Sequence, residues 1–102
     1  MVMAYDSSQT PPSRLDDATL ESLRAALRSY LGNGHDTTVL QRALERLSAE
    51  AQSRGIHAEQ VLVALKGMWQ ALPEVRAMTD ANEQVRLLQR VVTMCIREYY
   101  RG

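Results

Sequence analysis

Leu20, Leu23, Leu27 and Leu31 recur at intervals of three and four, the spacing of one apolar stripe along a helix. The pattern predicts a first helix from Asp16 or Asp17 to Leu31. Asp16, Asp17 and Glu21 suit its positive end. Gly32-Asn33-Gly34 stops it, because these residues tolerate left-handed backbone. The stripe returns in Leu40, Ala43, Leu44, Leu47 and Ala51, predicting a second helix from about Thr37 to Arg54. Asp36 is its expected N-cap, with Thr37 as the alternative, and Gly55 its C-terminal cap. Arg46 and Glu50 are spaced to pair across a turn.

A third helix is predicted from His57 or Ala58 to Leu72, before Pro73. Val61, Leu65, Met68 and Leu72 form its stripe, which Leu62 and Trp69 widen. A fourth is predicted from after Asp80 to about Tyr100, with Val85, Leu88, Val92, Cys95, Ile96 and Tyr99 facing inward. No segment alternates with the period of two that a half-buried strand needs. The expected fold is all-α: a compact four-helix domain, mainly antiparallel, with a flexible N-terminal arm. The arm covers residues 1–14, polar and ending in Pro11-Pro12, and a single helical domain covers 15–102. The expected core holds Leu23, Leu27, Leu44, Leu47, Val61, Leu65, Met68, Trp69, Leu88, Val92, Cys95 and Ile96.

The third helix has a second side. Val63 points nearly opposite the stripe, beside the small residues Ala64, Gly67 and Ala71. Gly in mid-helix costs about 1 kcal/mol relative to Ala. Close packing of another backbone is one reason for it to stand at position 67. Val63, Gly67 and Trp69 are therefore candidates for an apolar protein-interaction surface, since Trp serves binding hot spots as well as cores. Ala51, Gly55 and Val61 also have the spacing found around the turn of helix-turn-helix units. The helix that would read DNA opens with His57, Glu59 and Gln60, and Glu59 would meet a polyanion unfavourably.

Charge changes the picture only locally. Twelve basic residues balance twelve acidic ones in 102 residues, so no global field draws nucleic acid or lipid. Arg86, Arg90, Arg97 and Arg101, however, fall within an arc of about 60° at 100° per residue. They form a basic ridge on the fourth helix, partly interrupted by Glu83 and Glu98. Residues 1–21 are acidic, with Arg14 against Asp6, Asp16, Asp17 and Glu21. Ridge and acidic start are complementary within one molecule or between two. The ridge also suits an acidic partner or phosphate groups, by the planar fork of Arg. Tyr99 and Tyr100 beside it read first as packing at the end of the core.

No catalytic constellation appears. His35 and His57 each sit beside a predicted helix start, and Cys95 lies among apolar neighbours. No spacing gathers them into a metal site, and no cofactor signature is present. Glu45 and Glu50, five residues apart, do not share a helix face. The chain is read as non-enzymatic. One cysteine excludes an internal disulfide. The N-terminus lacks the pattern of a signal peptide, and the apolar runs are too short to span a bilayer, so a cytoplasmic location is the default. Membrane-surface binding is not expected, because the amphipathic last helix is needed for the core. The sequence thus predicts a small protein-interaction domain with a protein partner or itself, as a homodimer. The alternative is a weak nucleic-acid-binding module using Arg86, Arg90, Arg97 and Arg101.

Overall fold

The structure is a computed structural model that describes residues 15–32 and 34–101. The arm predicted over residues 1–14 lies outside the described residues. Five helices follow in order: α1 (Asp17–Gly32), α2 (Thr38–Ser53), α3 (Ala58–Ala71), α4 (Pro73–Arg76) and α5 (Ala81–Arg101). They form an all-α helical bundle. The four predicted helices are all present, and α4 is an addition. Leu72 breaks α3 with an extended backbone (φ −70°, ψ 132°), and Pro73 then occupies the first turn of α4. Proline suits that position because the missing N–H has no intrahelical partner there. The short turn buries Val75 beside Leu72.

Several helix ends are closed by specific groups. At the start of α1, the Asp16 backbone N–H donates to Glu50 Oε2 at 2.6 Å, and the buried Thr19 hydroxyl donates to Glu50 Oε1. Arg54 holds Asp16 at 3.0 Å and Glu50 at 3.9 Å. The carboxylate of Glu50 thus caps a neighbouring helix, at the end where negative charge is favoured. It does not pair with Arg46 as the spacing suggested. α1 ends with the His35 N–H donating to the Tyr30 carbonyl at 3.1 Å, across Gly34 and His35 at φ +64° and +65°. α2 ends with the Ile56 N–H donating to Ala51 at 2.8 Å, with Gly55 at φ +71°. This is the six-to-one bond that follows a left-handed residue, and Gly55 is the expected cap. Asp36 accepts from the Thr38 N–H at 2.9 Å, one residue outside the Thr37 N-cap position. That bond holds the Asp36 carboxyl below its usual pKa. Asp80 accepts from the N–H groups of Asn82 and Glu83 at 2.9 and 3.2 Å, starting α5.

α1 runs antiparallel to α2, and α3 to α5. Thr19 near the start of α1 meets Glu50 near the end of α2. The Tyr99 hydroxyl, near the end of α5, donates to the Ile56 carbonyl before α3 at 2.6 Å. At the other end, Gln84 donates to the Val75 carbonyl at 2.7 Å. α3 touches each of the other helices, as a central helix should.

Of the expected core, Leu23, Leu27, Leu44, Leu47, Val61, Leu65, Trp69 and Cys95 are buried. Met68, Leu88 and Val92 are half-buried against it. Ile96 is not core: it is 39% exposed, and Val85 is 53% exposed. The buried line on α5 is instead Leu87, Val91 and Cys95. Apolar residues from Met94 round to Ile96 cover about 200° of this helix at 100° per residue. Such a wide arc leaves the inward direction to the neighbouring helices. α2 and α3 turn it toward the arginine side.

The candidate surface residues of α3 part company in the fold. Trp69 is 1% exposed, so it is core and contributes nothing to an exposed apolar surface. Gly67 is exposed, and a Cβ built there meets nothing within 4 Å. No backbone packs against it among the described residues. Val63, 72% exposed, remains on the outer side.

Candidate partner-binding face

The Asp80 cap and the Leu87–Val91–Cys95 line hold α5 as a long rigid helix against α2 and α3. This fixes Arg86, Arg90, Arg97 and Arg101 along one flank. All four are exposed. Among the described residues, Arg86, Arg90 and Arg97 make no ion pair or hydrogen bond. Like charges one turn apart repel, costing a few tenths of a kcal/mol on a helix surface (~0.2–0.5). Arg86 and Arg90 form no ion pair among the described residues that would offset that cost, although Glu83 lines the same pocket.

The two halves of the ridge differ. Arg101 is paired, to Glu98 at 2.9 Å and to Glu45 of α2 at 3.9 Å. Glu98 in turn accepts from Gln41 at 2.8 Å. Gln52 donates to the Tyr99 carbonyl, closing this end of the α2–α5 contact. Two shallow pockets follow the contact. One, of about 230 Å³, lies between Ser48, Ala49 and Gln52 of α2 and Glu98 and Arg101. The other, of about 410 Å³, is lined by Gln41, Arg97, Glu98 and Arg101. The Ser48 hydroxyl is buried with no hydrogen-bond partner. Charge at this end is therefore mixed.

At the other end, His35, Glu83, Arg86, Leu87 and Arg90 line a pocket of about 240 Å³. His35 reaches it from the turn between α1 and α2. Its ring lies 5.3 Å from that of Tyr30, which is fully buried. In the sequence His35 sits beside a predicted helix start, and no spacing joins it to the ridge. Its only signal was the position after Gly34, where the chain reverses.

No family model, curated protein or solved structure matches this chain.

The complementarity of ridge and acidic start is not realised within the molecule for Asp16 or Glu21. Asp16 faces Arg54 and Glu21 faces Arg24 at 3.5 Å. Cys95 is buried, and burial pushes its thiol up to about 11. A nucleophilic cysteine needs the opposite shift. His57 is exposed, and its N–H donates to the Gln60 side chain at 2.9 Å, closing the first turn of α3. Among the described residues, no three His, Cys, Asp or Glu side chains gather as metal ligands would. No described helix is long and apolar enough to cross a membrane.

Proposed function

We propose that this chain is a small non-catalytic protein-interaction domain that docks an acidic partner along the arginine flank of α5. The supporting observation is that Arg86, Arg90 and Arg97 are exposed on one arc of a fixed helix and engage no acidic group among the described residues. Arg is less strongly hydrated than Lys and presents a planar fork to carboxylates. A partner therefore gains charge-assisted hydrogen bonds with little ordering of the helix that carries them.

A partner with discrete acidic side chains fits better than a nucleic-acid backbone. Glu45, Glu83 and Glu98 lie along the same flank. They oppose a continuous row of phosphates but leave room for separate carboxylates. Self-association through α3 would have to use its outer side, where Val63 is exposed, because Trp69 is buried on the opposite side. Val63 alone is the kind of single exposed apolar residue that needs no partner.

Fluorescence anisotropy with a labelled glutamate-rich peptide, and separately with labelled duplex DNA, tests the proposal. The expected result is saturable peptide binding, at least tenfold weaker in the Arg86→Gln, Arg90→Gln, Arg97→Gln triple variant. These side chains are exposed, so the variant keeps its circular dichroism. Equal affinity of the variant for the peptide would overturn the proposal. So would binding of the duplex alone, which would favour the nucleic-acid reading.

A further inference from the structure

We infer that the pocket between the α1–α2 turn and the first half of α5 is a site for one phosphate monoester, carried on a side chain of the acidic partner. The inference rests on the reading of the flank as partner-facing and names what that partner presents at one point. Three donor-bearing residues line it: Arg86 and Arg90, one turn apart on α5, and His35 from the α1–α2 turn. Both arginines are without an ion pair or hydrogen bond among the described residues. His35 is held on two counts. Its N–H bonds to the Tyr30 carbonyl at 3.1 Å, and its ring packs on buried Tyr30. An imidazole donates an N–H in either protonation state, and each guanidinium offers a fork of donors. Leu87, 6% exposed, supplies an apolar wall. Such a wall limits water and strengthens charge-assisted bonds.

Size selects the ligand. At about 240 Å³ the pocket is below the ~300–1,000 Å³ of sites for drug-sized ligands. It is large enough for a single anionic group. Number of acceptors selects phosphate over carboxylate. A carboxylate satisfies one arginine fork, whereas a phosphate monoester carries three acceptor oxygens and a charge near −2 at neutral pH. Two arginines and an imidazole match that set. Glu83 is the one carboxylate on the wall, and it pairs with neither arginine in the structure. It is the resident competitor of an incoming anion, so its removal sharpens the test.

The experiment is an amide and arginine side-chain NMR titration of the full chain. The probes are inorganic phosphate, a glutamate-rich peptide containing one phosphoserine, and the same peptide with unmodified serine. Phosphate is expected to give saturable shifts confined to His35, Glu83, Arg86, Leu87 and Arg90. The phosphopeptide is expected to bind at least fivefold tighter than its unmodified form. Arg90→Gln removes that difference, Glu83→Gln enlarges the phosphate affinity severalfold, and Arg97→Gln leaves phosphate binding unchanged. Shifts spread equally over Arg42, Arg46 and Arg97 would mean an adventitious ion only and overturn the inference. So would weaker phosphate binding in Glu83→Gln. Equal binding of the two peptides, lost on Arg97→Gln and untouched by Arg90→Gln, would overturn the pocket and leave the acidic-partner reading standing. Phosphate filling the pocket while neither peptide binds would overturn that reading, and with it the partner named here.

Discussion

Gly67→Ala is expected to stabilise the protein, although the residue sits in the middle of its central helix. Gly67 lies within α3, four residues before its end at Ala71. Its backbone is not in the left-handed region, and a Cβ there meets nothing within 4 Å. Alanine therefore adds no clash, and on an exposed face it adds no burial. What remains is backbone: glycine in a helix interior costs about 1 kcal/mol relative to alanine. Most of that difference comes from the larger conformational freedom of glycine in the unfolded chain. A domain of this size shifts its midpoint by roughly 4–8 °C per kcal/mol. Thermal unfolding followed by the fluorescence of Trp69, buried in the same helix, should give a rise of about that size. An unchanged or lowered midpoint would instead mean that a neighbour packs against Gly67.

Trp69→Ala tests the opposite side of α3: removing a fully buried indole should cost about 3–5 kcal/mol in urea unfolding, whereas an interface residue would leave monomer stability intact. Glu50→Ala removes the acceptor of Asp16 and Thr19 and should cost about 2 kcal/mol, since bonds to a charged group contribute ~1.5–3 kcal/mol; a loss below half a kcal/mol would show that α1 needs no carboxylate from α2. Cys95 should react with iodoacetamide only as fast as the protein opens. Its thiol is raised from 9.0 to about 11, so the folded state holds its proton longer than the unfolded chain. Stability linked to it is complete below pH 9 and is lost between pH 9 and 11. A Cys95→Ser protein should lack that part of the decline.

Helix positions were readable because their apolar residues recur at helical spacing and their stops are chemically distinct. Gly55 and Asp80 mark ends that the backbone then uses, with Gly55 in the left-handed region and Asp80 accepting two N–H bonds. α4 was not readable, because one turn after a proline carries no periodicity. The direction of α5 was not readable either. Its apolar residues spread too widely to distinguish Leu87 and Val91 from Val85 and Ile96. The arginine ridge followed from spacing alone. Its division into a paired half at Arg101 and an unpaired half at Arg86 and Arg90 depends on which residues of α2 and the α1–α2 turn come alongside. His35 joins the candidate site through a chain reversal, and no local pattern encodes where that reversal points.

The most direct test of the account is the salt dependence of glutamate-rich peptide binding, measured for the native chain and for the Arg86→Gln, Arg90→Gln, Arg97→Gln variant. Exposed charges are screened within about 8–10 Å at ordinary ionic strength. The account predicts that native affinity falls steeply as salt rises and that the variant is weaker at every salt, with a shallower slope. Parallel slopes and equal affinities would contradict it, by placing the binding charges somewhere other than the flank of α5.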